Sequence, residues 1–200
     1  MMFTIRSGSM TAVIDSVGAQ LMSLQSVDGT QYLWQGDPKY WPDRSLTIFP
    51  YVARLTDGCY RYRGELYHMP IHGFAPTAKF SVAEQTDADI TFVLESCPAF
   101  YKQYPFLFRY SIRYRLENAT LHVEITVENK DEKNMHFGLG GHPGINVPLE
   151  EGLRFEDYVI EVPPCQPRRM EFTPACFITG RELPFPMECN QLPLSHHMFD

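Results

Sequence analysis

The sequence predicts an all-β protein, an antiparallel β-sandwich, from three features. Aromatic side chains make up 14% of the 200 residues, with 14 Phe and 11 Tyr, and such side chains suit the pleated surface of a sheet. The chain also contains 16 Pro and 13 Gly, which mark frequent turns. Residues 108–128 alternate between apolar and polar side chains on both sides of a short break, as strands with one buried face do.

This alternating segment predicts a β-hairpin with a defined register. If Leu116 faces Leu121 across the turn, apolar residues oppose apolar ones on one face, and Arg113 opposes Glu124 on the other. Both faces match in the same register, which favours one pairing of the two strands. The other predicted apolar pairs are Tyr114 with Val123, Ile112 with Ile125, and Tyr110 with Val127.

The remaining predicted elements are short and are separated by Gly, Asp, Asn or Pro. One helical turn is expected within residues 96–102, and the Pro-rich segment 162–193 is expected to form long surface loops. Many short strands with frequent turn signals are typical of a β-sandwich. The predicted strands are Phe3–Arg6, Thr11–Asp15, Ala19–Leu24, Tyr60–Tyr62, Lys79–Ala83, Ile90–Leu94 and Tyr158–Val162.

Length and charge exclude several classes of protein. We expect a single domain over residues 1–200, a size that can bury a substantial core. No run approaches the roughly 18 apolar residues of a membrane helix, so no membrane partner is expected. The net charge of −7 argues against a nucleic-acid partner. The five cysteines lack C-x-x-C spacing, which indicates free thiols in a reducing cytoplasm.

Three polar residues lie in unusual apolar or glycine-rich settings. Arg54 ends an apolar run and is either a strand-end side chain reaching solvent or a fixed cation for hydroxyls or an oxyanion. His72, followed by Gly, is either a structural histidine or a ligand contact. His142 lies in a predicted loop with glycines on both sides, a setting that favours function, and histidine can exchange a proton near neutral pH.

The same sequence gives little support for a metal or a cofactor. His72 and His142 are isolated, without the H-x-H or carboxylate neighbours of a metal site. Dinucleotide-binding, phosphate-binding and nucleophile-elbow motifs are also missing from the sequence. We therefore expect no metal ion and no cofactor.

Four motifs, taken in order, resemble the aldose 1-epimerase (galactose mutarotase) family, in particular its LacX-like branch. They are residues 32–41 (YLWQGDPKYW), 48–54 (IFPYVAR), 72–75 (HGFA) and 141–149 (GHPGINVPL). The resemblance extends from about Ala19 to Leu149. It implies a galactose mutarotase-like β-sandwich that interconverts the α and β anomers of an aldohexose, a monosaccharide, without a cofactor.

The resemblance also implies site residues. The family's cleft arginine falls on Arg54, its sugar-polarising histidine on His72, its general acid on His142, and the asparagine of the last motif on Asn146. A sugar-binding Asp lies late in the family, and Asp200 is the residue here near the corresponding stretch.

The family's general base is a Glu in its C-terminal portion. No Glu of this sequence lies in a matching motif, so we assign no base and expect the last strands of the family to be absent from this chain. Two positions depart from the family pattern: Ala53 stands where Gly is usual, and Pro76 where the branch often has Arg.

Three alternatives stay open at this point. A sugar-binding or sensing module could keep the cleft without catalysis. A cupin-like metal protein and an epimerase of a phosphorylated sugar are the others, although Arg61 and Arg63 are the only basic pair near the motifs. A homodimer is also left open.

Overall fold

A computed structural model describes residues 1–185, 187 and 189–199 of the chain. Its regular structure is almost entirely β, with one α-helical turn at Pro98–Tyr101. None of the helices described is long and apolar enough to cross a membrane. The short 3₁₀ turns are Thr56–Gly58, Ala75–Thr77, Phe155–Asp157 and His196–Phe199.

The chain divides into two compact units, Met1–Asn146 and Val147–Asp200, and each is described by itself. The expectation of one sandwich domain over residues 1–200 stays a prediction. Eleven strands of the first unit are numbered in chain order: β1 Met2–Ser7, β2 Met10–Asp15, β3 Gln20–Ser26, β4 Ser45–Ile48, β5 Cys59–Tyr62, β6 Glu65–His68, β7 Ser81–Gln85, β8 Asp89–Glu95, β9 Phe108–Glu117, β10 Thr120–Asn129 and β11 Gly140–Pro143.

The predicted hairpin is confirmed as β9 and β10, in the predicted register. Leu116 faces Leu121, Arg113 faces Glu124, and the other predicted pairs also hold. The turn places Asn118 at a φ of 55°, a conformation that Asn tolerates better than most residues. The hairpin forms one side of a four-stranded antiparallel sheet of order β10-β9-β8-β7.

A second antiparallel sheet, β1-β2-β3, packs against the first and encloses the core. The rings of Phe3 and Phe92 meet edge-on between the sheets, 5.5 Å apart. The hydroxyl of Tyr114 donates a hydrogen bond of 2.8 Å to the carbonyl of Ala19. Two facing sheets with alternating inward residues confirm the all-β sandwich.

The two strands of the hairpin are covered to different degrees. Every inward side chain of β9 is at most 2% exposed, whereas those of β10 are half-buried or exposed. Ile112 on β9 is 0% exposed, and Val123 on β10 is 48% exposed. The apolar face of the sheet is therefore fully covered at β9 but not at the edge strand β10.

Phe49 connects the core to the segments that carry the candidate residues. Its ring is fully buried and stacks on Tyr110 at 4.5 Å. Its carbonyl accepts the N–H of Ala75 at 3.1 Å and lies 2.2 Å from the position that a Cβ on Gly73 would occupy. With a φ of 76°, Gly73 meets both conditions that call for glycine, a left-handed conformation and a close backbone contact.

The second unit contains four strands in two antiparallel pairs: β12 Val159–Glu161, β13 Arg169–Phe172, β14 Ile178–Leu183 and β15 Gln191–Pro193. Three of them lie within residues 162–193, so the prediction of surface loops there is wrong for those stretches. The pairing of β13 with β14 has a register shift, and every side chain of β14 is exposed. Exposed strands of this kind lack the apolar alternation from which a strand can be predicted.

The unequal cover of the hairpin leads to a stability prediction with a built-in control. Ile112→Ala should lower the free energy of unfolding by about 2–5 kcal/mol. Ile125→Ala, at the opposing and half-buried position, should lower it by about 1 kcal/mol. Urea unfolding of both variants checks this, and equal losses would contradict the difference in cover.

A second pair of variants tests the contact between Gly73 and Phe49. Gly64 also has a left-handed φ, of 89°, but nothing lies within 4 Å of a Cβ there. Gly64→Ala should cost about 1–2 kcal/mol from backbone strain alone, and Gly73→Ala about 1–3 kcal/mol more because of the clash. Urea midpoints measure both, and a Gly73→Ala cost no larger than that of Gly64→Ala would argue against the close contact.

Candidate functional site

His72 is fixed in place by two hydrogen bonds to Ala53. The backbone N–H of His72 donates to the Ala53 carbonyl at 3.0 Å, and the Ala53 N–H donates to His72 Nδ1 at 3.2 Å. Both residues have positive φ angles, 64° and 72°. These two reciprocal bonds hold the imidazole of His72 against Ala53, the residue that precedes Arg54.

The conformation of Ala53 explains why this position favours glycine. A φ of 72° lies in the left-handed region, where a Cβ costs about 1–2 kcal/mol. Strained backbone of this kind persists only where the surrounding structure enforces it, and it concentrates at functional sites. The strained residue, Ala53, therefore both contacts His72 and directly precedes Arg54 in the chain.

The hydrogen bond from Ala53 also determines which nitrogen of His72 carries the proton. Because Nδ1 accepts an N–H, the neutral ring must carry its proton on Nε2. Burial, and secondarily the nearby His142, lower the pKa of His72 below the ordinary value of 6.5. At neutral pH His72 is therefore an uncharged donor through Nε2.

His142 lies close to His72 on the short strand β11. It pairs with Leu46 of β4, and its ring centre is 5.8 Å from that of His72. The predicted glycine-rich loop is thus partly a strand, and that expectation is corrected for Gly140–Pro143. The strand is missed by sequence reasoning because two glycines give it no apolar alternation, and its partner is distant in the chain.

The residues just before β11 are hydrogen-bonded to the segment that carries Phe49. The N–H of Gly138 donates to the Pro50 carbonyl at 2.8 Å. A Cβ on Gly138 would meet Val52 at 3.5 Å, which is ordinary contact. The segments that carry the two histidines are therefore both bonded to the same short stretch of chain, one at Pro50 and the other at Ala53.

Trp41 is a neighbour of His142 that the sequence reasoning did not single out. Its ring centre lies 4.9 Å from that of His142, with 47° between the ring planes. The indole N–H of Trp34 donates to the Trp41 carbonyl at 2.8 Å. The available signal was that both tryptophans of the chain, Trp34 and Trp41, lie within the first motif.

The other predicted residues occupy different settings. Arg54 is exposed, with no hydrogen bond or ion pair found for its guanidinium in the part of the chain described. The side-chain NH₂ of Asn146 donates to the carbonyls of Gln31 at 2.8 Å and Leu33 at 3.0 Å, which leaves only its Oδ1 for a ligand. Asp200 lies outside the described residues.

Two cavities lie in the described part of the chain without contact to His72 or His142. The first, of about 530 Å³, has an aromatic and apolar lining that includes Tyr51, Tyr60 and Phe137. The second, of about 490 Å³, is lined by the partly covered inward face of β10 and by Gly141 and Pro143. Since alternate residues of a strand face opposite ways, the His142 side chain points away from this second cavity.

Metal ligation finds no basis in the residues described. Among them, no group of three or more His, Cys, Asp or Glu side chains is placed to hold an ion. The candidate site is therefore described by the rings of His72, His142 and Trp41, and Arg54 follows Ala53 in the chain.

The protonation of His72 can be tested directly. Histidine ring signals followed by NMR over a pH titration should give His72 a pKa below 6.5, with the proton of the neutral ring on Nε2. His142→Ala should move that pKa upward, because it removes a like charge and exposes the ring. A pKa for His72 above 6.5 in the unaltered protein, or protonation on Nδ1, would contradict the geometry.

Comparison with known proteins identifies the family. The aldose 1-epimerase family model matches residues 1–181. The plasmid-encoded LacX protein of Lactococcus lactis subsp. lactis is 30% identical over 169 residues, which is 80% of this chain and 56% of that protein. The chain therefore spans little more than half the length of this relative.

Two crystal structures cover nearly the whole chain. A galactose mutarotase related enzyme from Lactobacillus acidophilus has a TM-score of 0.88 at 33% identity, covering 98% of this chain and 65% of that one. A galactose mutarotase-like protein from Lactobacillus casei ATCC 334 has a TM-score of 0.90 at 33% identity, covering 98% and 68%. With the family model matched over most of its length, the chain belongs to the aldose 1-epimerase family.

Proposed function

We propose that this protein interconverts the α and β anomers of an aldohexose, a reaction of the isomerase class. The observation that supports this best is the pair of imidazoles, 5.8 Å apart, in unlike environments. His72 is partly buried and hydrogen-bonded through Nδ1, whereas His142 is exposed. Membership of the family makes a sugar the expected substrate.

Each group has a defined task in this reaction. Mutarotation breaks the bond between C1 and the ring oxygen O5, while the C1 hydroxyl loses its proton and O5 gains one; rotation about C1–C2 and the reverse steps close the ring. His142 is the general acid that donates the proton to O5. His72, neutral, donates a hydrogen bond from Nε2 to a sugar oxygen and keeps its proton throughout.

Arg54 and Asn146 complete the proposed substrate contacts. The guanidinium of Arg54 offers several donors to sugar hydroxyls, and it has no competing partner among the residues described. Asn146 can accept one hydrogen bond from a sugar hydroxyl through Oδ1. We assign no residue of this chain as the base that removes the C1 proton, and Asp200 stays a proposed contact on the resemblance alone.

The alternative is a sugar-binding protein of the same fold without turnover. It is favoured by the same site, since every proposed sugar contact could hold a ligand without a base. Epimerisation of a phosphorylated sugar has less support, because Arg63 lies 5.4 Å from the ring of Tyr62 and Arg61 contacts the carbonyl of Gly64. Both cations therefore have partners of their own on a hairpin turn.

We also propose a cytoplasmic location. All five cysteines are free, and four of them are exposed, a state that fits a reducing compartment.

Polarimetry of freshly dissolved α-D-galactose and α-D-glucose tests the activity. The protein should accelerate mutarotation over buffer, and His142→Ala should lower kcat by about 100-fold or more. His122→Ala is the matched control, because His122 lies on the outward face of β10 beside Glu117, away from the site, and should keep the full rate.

Calorimetric titration of the same sugars separates the two functions. Binding without any acceleration would favour the sugar-binding alternative over catalysis. A full rate in His142→Ala would contradict the role of His142 as general acid. The absence of both binding and acceleration would overturn the proposed function.

A further inference from the structure

The loop that carries Trp41 is closed by backbone hydrogen bonds. The N–H groups of Tyr40 and Trp41 donate to the Asp37 carbonyl at 3.0 and 2.9 Å. A Cβ on Gly36 would lie 2.6 Å from the Pro42 carbonyl, so the loop closes tightly on itself. An indole on a fixed loop loses little freedom when it binds a ligand, which favours its use as a rigid contact surface.

The position of the indole is fixed further by Gly144. A Cβ on Gly144 would lie 2.8 Å from Cβ of Trp34 and 3.0 Å from the Trp41 ring. The N–H of Gly144 donates to the Arg44 carbonyl at 2.7 Å, and its carbonyl accepts the N–H of Trp34 at 2.9 Å. Because Gly144 follows His142 by two residues, the same contacts that seat Trp41 also set its distance from His142.

The rings of Trp41 and His72 both lie close to that of His142. The step from His142 to Trp41 is 4.9 Å and the step to His72 is 5.8 Å. A ligand that touches the imidazole of His142 is therefore within reach of the half-buried indole. The face of an indole carries partial negative charge, and the C–H groups on one side of a pyranose ring carry partial positive charge.

We propose that Trp41 is the platform on which the C–H face of the sugar ring stacks, beside the imidazole of His142. This proposal rests on the proposed function and adds a residue that neither the family resemblance nor the motif histidines assign. It names Trp41 as a sugar-binding residue that also selects ligands: a pyranose, which presents several C–H groups on one face of a closed ring, should bind better than an acyclic polyol.

Tryptophan fluorescence of the full chain tests the platform independently of catalysis, because the chain contains only two tryptophans. Titration with D-galactose or D-glucose should change the emission of the unaltered protein and of Trp34→Phe, in which only Trp41 emits. Trp41→Phe should abolish the change, and sorbitol should produce none in any variant. Far-ultraviolet circular dichroism verifies that each variant is folded.

Kinetics provide the second readout. Trp41→Ala should raise KM about three- to tenfold with little change in kcat, because stacking stabilises ground and transition states alike, and Trp41→Phe should restore part of the loss. Tyr40→Ala is the matched control, since Tyr40 is an adjacent aromatic residue that is 72% exposed. The ring contact described for Tyr40 is with Trp34 and not with His142. This variant should leave KM unchanged.

The outcomes separate the platform from the activity. A sugar-dependent change in Trp41 emission without mutarotation would overturn the catalytic proposal and support the platform. Mutarotation with an unchanged KM in Trp41→Ala, or unchanged emission in Trp34→Phe at saturating sugar, would overturn the platform and leave the activity standing. Neither emission change nor mutarotation would overturn both.

Discussion

The packing of Phe49 is the constraint on which the site depends. Its ring lies in the centre of the aromatic core, stacked on Tyr110 and edge-on to Phe108 at 5.2 Å. Its carbonyl is pressed against Gly73 and bonded to Ala75. A single residue thus contacts the long hairpin through its ring and the segment that presents His72 through its carbonyl.

The candidate side chains are positioned by backbone hydrogen bonds more than by burial of their own atoms. Ala53 bonds to His72, Gly138 bonds to Pro50, and Gly144 bonds to the Arg44 carbonyl. The net contribution of one backbone hydrogen bond to the free energy of unfolding is only about 1 kcal/mol. Several of them acting on segments already anchored to the core can nevertheless fix a site while its side chains stay accessible to a ligand.

The parts of the fold that sequence predicts are those whose signal is local. The hairpin register follows from alternation on both faces, and β1, β2 and β8 each begin and end within a residue or two of the predicted limits. β11 was missed because glycines carry no periodicity and its pairing with β4 is long-range. Exposed β14 was missed because nothing distinguishes its two faces.

The candidate site shows the same division. The motifs drew attention to His72 and His142, and the structure brings those two rings together. They could not indicate the tautomer of His72, which depends on an N–H of Ala53, nor the proximity of Trp41 to His142, since the two are far apart in sequence. Arg54 stays an expectation of the resemblance, with an unpaired guanidinium in the part of the chain described.

The unlike environments of the two histidines suit the needs of the proposed reaction. A hydrogen-bond donor that holds the sugar should keep its proton at every step, and the environment of His72 suits that role because Nδ1 accepts a hydrogen bond and burial disfavours the charged form of the ring. A general acid must instead lose its proton and regain it in every turnover. His142 is exposed and so open to a bound sugar, and in the proposed reaction the reverse step that closes the ring returns the proton from O5 to it. Two histidines can therefore have different roles in the proposed reaction, because His72 is fixed by Ala53 and His142 is exposed to solvent.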